Sequence, residues 1–280
     1  MPARSPTVRR RRLGSELRRL RETAGLTIEK VAEDLECSSS KISRIETAQV
    51  TATPRDVRDM LEIYQVHGQQ REELLRVARE ARQKGWWQAY RDLPYSAVAD
   101  LETEASSIRM YSALLVPGLL QTEDYARALL RAIRFDLEPA GIQHRLELRM
   151  TRQSLLTRED PPALWVVLDE AVLHRLVGGR QVMRAQLQRL ADAVTLPSVT
   201  VQVLPFGAGA HPGLDGPFTI IGFPDRADRD VVYIENVTSD AYIEDTDATR
   251  RYASIFDHLL ATARSPADSA ELFAKVAKEL

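Results

Sequence analysis

The sequence predicts a mainly helical chain with a smaller α+β part: a five-helix bundle at the N-terminus, then a domain in which a small mixed sheet is flanked by helices. Three observations predict it. Apolar residues recur at helical spacing in short segments through the first eighty residues. After Pro161-Pro162 the pattern changes, and strand-length runs at 164–168, 199–203, 217–223 and 231–235 alternate with helical stretches. The 280 residues are enough for two cores. We place the domains at 1–83 and 84–280.

The bundle reads element by element. Leu13, Leu17 and Leu20 define a first helix to about Ala24, preceded by Arg4 and the run Arg9, Arg10, Arg11 and Arg12; Gly25 supplies the left-handed position that ends it. Thr27 caps a second helix whose Ile28, Val31, Ala32 and Leu35 share one face. After a break at Glu36-Cys37, Ser38 or Ser39 caps a third, with Ile42 and Ile45 inward and Ser39, Ser40, Lys41, Ser43 and Arg44 outward. Two short helices so briefly joined cross steeply, which is helix-turn-helix geometry, and the second presents small polar and basic groups of a kind that fits a DNA major groove. Thr53-Pro54-Arg55-Asp56 opens a fourth helix, with Val57, Met60, Leu61 and Tyr64 on its apolar face. A fifth spans about Gln69–Gln83 and carries Leu74, Leu75 and Ala78.

The pattern LT-x-E-x-VA-x-x-L-x-x-S-x-S-x-IS-x-IE resembles the XRE family of phage-repressor-type DNA-binding domains. The resemblance implies base contacts from Ser39, Ser40, Lys41, Ser43 and Arg44, with Arg44 suited to a bidentate contact with guanine. The family usually has glutamine at the first position of the second helix, on a phosphate. This chain has Ile28, so Thr27 or Lys30 is expected to take over that contact. Arg9–Arg12 read equally as a solvated arm or as a clamp on phosphates or the minor groove. One such head makes few base contacts, so we expect a homodimer on double-stranded DNA with half-sites about 34 Å apart.

In the second domain, Trp86, Trp87 and Tyr90 form an aromatic cluster read as junction packing or, alternatively, as a ligand cage. A helix is expected over Val98–Tyr111, another beginning at Thr122-Glu123-Asp124, and an Arg-rich one over about Glu138–Thr157, its basic face read as solvated or paired with acids or, alternatively, as touching DNA or a nucleotide. A short helix ending at Gly178-Gly179, one through Met183, Leu187, Leu190 and Val194, and two closing helices at about Thr246–Ala263 and Ala267–Lys278 complete the reading. Gly85-Trp86, Val116-Pro117-Gly118-Leu119-Leu120-Gln121-Thr122, Leu168-Asp169-Glu170-Ala171, Val203-Leu204-Pro205-Phe206 and the glycine-rich 207–216 occur in that order. Together they resemble the C-terminal domain of actinobacterial WhiJ-like, antitoxin-like XRE regulators. The resemblance implies transcription regulation, no catalytic residues and, in many members, a small protein partner encoded nearby.

Charge and composition set limits. Residues 1–50 hold eleven Lys or Arg against seven Asp or Glu, a charge of +4; the chain as a whole is −2, which leaves −6 for the rest. A basic head on an acidic body confines phosphate attraction to one end. The single cysteine, Cys37, excludes an intramolecular disulfide and a zinc-finger ligand set, and its place at the turn suits a small core filler. No apolar run approaches membrane-spanning length and the Arg-rich start lacks a signal peptide's apolar stretch, so a cytoplasmic protein with no membrane partner is expected.

Enzyme readings fail on residue inventory. Neither His174 nor His258 has a histidine four residues away, as a zinc peptidase helix needs. Beyond Lys84 the only lysines are Lys275 and Lys278, which leaves no serine-lysine dyad. The loop 205–216, with His211 and Asp215, is not a P-loop. It reads as an ordinary inter-strand loop or as a ligand- or partner-binding one. The expectation is therefore a DNA-binding transcriptional regulator without metal or cofactor, whose second domain senses a small-molecule effector or a protein partner. The competing expectation is an antitoxin-like module that sequesters a small neighbouring-gene protein.

Overall fold

The computed structural model describes residues 6–81, 96–225, 228–236 and 240–280, which fall into two units, Met1–Ala89 and Tyr90–Leu280. The first is the five-helix bundle: α1 (Pro6–Thr23), α2 (Ile28–Asp34), α3 (Ser39–Glu46), α4 (Pro54–Ile63) and α5 (Gly68–Glu80). Its caps are local hydrogen bonds. The hydroxyls of Thr27 and Ser38 accept from the backbone N–H of Lys30 and Lys41, each at 3.2 Å. Thr53 and Asp56 form a reciprocal capping box with Pro54 at the first helical position. Gly25, at φ +69°, ends α1, with Gly25 and Leu26 N–H bonding back to the Glu22 and Arg21 carbonyls. Leu13, Leu17, Val31, Ile42, Ile45, Val57, Met60, Leu61 and Ala78 make a dry core, against which Ile28, Leu35 and Cys37 pack in part.

The basic run differs from expectation. Arg9–Arg12 do not precede the first helix but lie within it, because α1 is already helical at Pro6. Proline is favourable in a first turn and arginine is a good helix former, so nothing local interrupts the helix ahead of Leu13.

The second unit is built on one six-stranded sheet of order β3-β2-β1-β4-β5-β6. Its strands are β1 (Ser107–Ser112), β2 (Ala163–Asp169), β3 (Val199–Leu204), β4 (Phe218–Gly222), β5 (Val231–Glu235) and β6 (Asp240–Ile243). β1, β2 and β3 run parallel; β4, β5 and β6 add antiparallel. The helices are α6 (Ser96–Glu104), α7 (Glu123–Ile133), α8 (Pro139–Arg152), α9 (Ala171–His174), α10 (Arg180–Ala193), α11 (Thr246–Thr262) and α12 (Pro266–Glu279). Phe256 and Leu259 of α11 cover the face formed by Tyr111, Val167, Leu204, Phe218, Ile220 and Val232. The outer edge of β3 is closed by backbone and side-chain groups. Val203 N–H donates to the Ser269 hydroxyl (3.0 Å), and its carbonyl accepts from Arg264 N–H (2.8 Å).

Two strands correct the sequence reading. The expected helix over Val98–Tyr111 stops at Glu104, and Ser107–Ser112 is the central strand β1. Ile108 and Tyr111 are its buried residues, and their i, i+3 spacing imitates a helix. Pairing with β2 on one side and β4 on the other decides the matter. β6, four half-buried residues, carries no apolar alternation strong enough to announce it.

Of the readings of the Arg-rich helix α8, pairing with an acid is the one that holds for Arg152. Arg152 makes a bidentate pair with Glu102 of α6 (Nε–Oε2 2.9 Å, Nη2–Oε1 2.7 Å), both buried. Arg149, buried as well, donates to Gln121 Oε1 at 2.8 Å.

Candidate nucleic-acid interface

The recognition element is α3. Its position is fixed from the inside by apolar burial and one buried ion pair. Ile42 and Ile45 are 1% and 2% exposed. Glu46, four residues after Ile42 and so on the same side, accepts two bonds from Arg21 of α1: Nε–Oε1 at 2.7 Å and Nη2–Oε2 at 2.9 Å. Arg21 Nη1 also donates to the Leu26 carbonyl (2.8 Å), so one guanidinium ties α1, the turn after it and α3 together. The contact is close-packed as well. A Cβ on Gly14 would lie 2.6 Å from the Ile45 carbonyl oxygen and 2.7 Å from that of Glu46. Tyr64 stands beside the pair, its hydroxyl buried without a hydrogen-bond partner and its pKa pushed well up by burial and then by the Glu46 carboxylate.

The α2–α3 turn is equally local. Glu36 takes the left-handed conformation at φ +49°, its N–H and that of Cys37 bonding back to the Glu33 and Ala32 carbonyls before Ser38 caps α3.

With the inner face locked, the outer face presents Ser40 and Arg44 fully exposed and Ser39, Lys41 and Ser43 half-buried. Among the described residues Arg44 has no carboxylate partner, which leaves its planar donor fork available. Lys41 is committed differently: its Nζ is 2.7 Å from Asp56 Oδ1, joining α3 to the start of α4. Burial pushes the Asp56 carboxyl up, but the Lys41 ammonium and the Thr53 hydrogen bonds outweigh it and hold the group below the usual carboxylate range.

At the start of α2, Ile28 packs in part against the bundle core, which accounts for an apolar residue at a position the resemblance assigns to glutamine. Thr27 Oγ1 is engaged in capping, and Lys30 pairs with Asp34 (2.8 Å) and Glu33 (3.1 Å) while staying half exposed. Of the basic run, Arg10 Nη1 reaches Thr51 Oγ1 (3.4 Å), and Arg12 Nη2 lies 3.9 Å from Glu73 of α5. Arg11 is half-buried in the same helix. Arg9 lies in α1 too.

Sequence reasoning missed Arg21 and Gly14, and it read Asp56 only as part of the cap of α4, without its pairing to Lys41. Glu46 was part of the recognised pattern but had no role. The signal was present: Arg21 falls on the stripe of Leu17, and Glu46 on that of Ile42, so each is a charge at a core position.

Trp86, Trp87 and Tyr90 lie outside the described residues. His211 turns inward: its Nδ1 accepts from Gly213 N–H (3.2 Å), its Nε2 lies 3.9 Å from Asp169 Oδ2, and its ring meets Tyr111 edge-on. Burial, and then the Asp169 carboxylate, push the Tyr111 hydroxyl up to about 12. Asp215 is exposed on the same loop. The loop thus crosses the C-terminal ends of the parallel strands, held there by His211, and by Phe206 N–H donating to Glu170 Oε2 (2.8 Å).

Among the described residues no helix is long and apolar enough to cross a membrane. Residues 12–74 match a family described as a helix-turn-helix domain. Residues 95–275, about two thirds of the chain, match one described as a domain of unknown function, DUF5753. No curated protein and no solved structure matches. A head with the geometry and the sequence of a helix-turn-helix domain makes this a DNA-binding protein of the transcription-regulator kind, and the match over its body makes the chain a member of the DUF5753 family.

Proposed function

We propose that the protein is a sequence-specific transcriptional regulator that binds duplex DNA as a homodimer, with α3 in the major groove, and whose C-terminal domain senses a ligand or protein partner. The observation that carries this is the contrast between the two sides of α3. The inner side is immobilised by Ile42, Ile45 and the Arg21–Glu46 pair, while the outer side offers an unpaired Arg44 beside Ser40. A rigid helix with a free guanidinium is what bidentate readout of guanine requires. Lys30 and the basic residues of α1 supply candidate phosphate contacts. Two heads on half-sites about one helical turn apart provide the affinity that a single head lacks.

The test is selection of bound duplexes from a random pool, followed by titration of Arg44→Ala on the selected operator and on a scrambled duplex. Affinity for the operator falls by about 1–3 kcal/mol, with little change on scrambled DNA. Equal losses on both would reduce Arg44 to a backbone contact, and a pool without enrichment would remove sequence-specific binding altogether.

The second reading, a WhiJ-like, antitoxin-like module that holds a small protein, draws on one observation. Phe206 and Leu214, 61% and 68% exposed, stand on the loop over the strand ends, and Leu114 and Leu176 are exposed in the segments that follow β1 and α9. Exposed apolar groups on such a loop suit a protein partner. A small protein that co-purifies in fixed ratio, and is lost on Phe206→Ser with Leu214→Ser, favours this reading.

A further inference from the structure

Helices α7 and α8 form an antiparallel hairpin closed by Ala126, Leu130, Ile142 and Leu146. Beside this small core lies a shallow, open recess of about 160 Å3, lined by Arg127, Arg131, Arg134, Phe135, Leu137 and Ile142 among others. Arg127 and Arg131, at i and i+4, share one face of α7, and Arg134 is the residue that caps its C-terminal end. Arg127 is held in place by the Glu123 carboxylate and by Gln143, to whose Oε1 it donates at 3.0 Å. Among the described residues Arg131 and Arg134 have no carboxylate partner. Arg134 adds to the positive field felt by Arg149, which burial and then Arg152 and Arg134 lower to about 10. Next to these cations Phe135 is 89% exposed.

We propose that this recess binds a small molecule carrying a phosphate or carboxylate group on an apolar or aromatic body. Guanidinium forks match either anion in geometry, and the Arg131 and Arg134 forks have no such group to engage. Phe135, Leu137 and Ile142 provide a surface for the apolar part. A DNA duplex is a poorer occupant: the three arginines span only about 10 Å of helix. Residues 51–280, which include the hairpin, also carry a charge of −6, the whole chain's −2 less the +4 of residues 1–50, and so repel a polyanion at long range. The assignment gives a chemistry to the effector in the function proposed above and rests on that reading only for its coupling to DNA.

The test titrates the full-length protein calorimetrically with inorganic phosphate, phenyl phosphate, benzoate and benzyl alcohol. The same titrations are run on Arg131→Gln/Arg134→Gln and on Phe135→Ala, with melting curves confirming that each variant is folded. One or both aromatic anions bind, which identifies the anion preferred, and inorganic phosphate and benzyl alcohol bind about tenfold more weakly or not at all. The double arginine variant weakens the aromatic anion about tenfold or more. Phe135→Ala weakens the aromatic anion while leaving inorganic phosphate unchanged. The proposal is overturned if neither aromatic anion binds, or if the arginine variant binds them undiminished. It is also overturned if that variant instead loses affinity for duplexes of any sequence, which would make the arginines a DNA-backbone contact. Binding that is lost in the variant but never alters operator affinity supports the site and removes the effector role.

Discussion

Glu46→Gln isolates the energetic centre of the DNA-binding head. The substitution preserves the shape of the side chain and removes its charge, leaving the Arg21 side chain, 9% exposed, with the Leu26 carbonyl and, at 3.7 Å, the exposed Glu22 carboxylate. A buried ion pair broken on one side costs about 3–5 kcal/mol, chiefly because the surviving charge stays desolvated. Against a domain stability of about 5–15 kcal/mol this is a large fraction. Lys30 and Asp34 provide the control, at 2.8 Å against 2.7 Å for Arg21 and Glu46, but with side chains 52% and 33% exposed. Lys30→Gln is therefore expected to leave the urea midpoint nearly unchanged. Replacing both buried partners with apolar residues, Arg21→Met with Glu46→Leu, recovers most of the loss, because no uncompensated charge remains. The assay is hydrogen exchange of the α1 and α3 amides together with urea unfolding of the full chain, so that loss in the head is separated from the body. If Glu46→Gln costs under about 1 kcal/mol, or if the apolar double variant is as unstable as the single one, burial of the pair is not what holds α3 to α1.

Three further outcomes follow from the same packing. Tyr64→Phe removes a buried hydroxyl that has no hydrogen-bond partner and is expected to leave stability unchanged or raise it by about 1 kcal/mol; a loss of that size in urea unfolding contradicts the observed geometry. Gly14→Ala gains about 1 kcal/mol of helix propensity but drives a Cβ against two α3 carbonyls, so melting and operator affinity both fall, by a net of about 1–2 kcal/mol; a rise in melting temperature refutes the close approach. Because Asp56 titrates below its unfolded value, its contribution is complete at neutral pH and disappears as the pH falls from about 4 through the depressed folded pKa. Asp56→Asn therefore lowers the urea midpoint at pH 7 by about 1 kcal/mol equivalent, and the difference from the parent shrinks toward pH 3. A gap that widens on acidification would reverse the sign of the linkage.

What could be read from the residues was mainly local. Thr27, Ser38, Thr53, Thr122 and Ser265 each accept from an N–H three residues on, and Gly25 carries the positive φ of a helix end. All these interactions close within a few residues, so spacing alone announces them. The strands at 164–168, 199–203 and 231–235 were legible for the related reason that burial on both faces leaves a continuous or alternating apolar run. The outward placement of Ser40 and Arg44 followed from the helical period once Ile42 and Ile45 were taken as inward.

Tertiary structure decided the contacts between distant positions. Arg21 and Glu46 are 25 residues apart, Lys41 and Asp56 15, and Arg152 and Glu102 50. Even where a charge at a core position stands out, as at Arg21 and Glu46, the local pattern does not specify the partner that gives it its role. The same holds for β1, whose Ile108 and Tyr111 suit a helix until β2 and β4 supply its hydrogen bonds. It holds also for His211, drawn down to Asp169 and Tyr111 from a loop that spacing left open. Capping and periodicity are properties of a segment, so the sequence by itself determined most of the helices, their caps and the outer face of α3. Ion pairing and sheet order depend on which segments meet, and only the folded chain decides that.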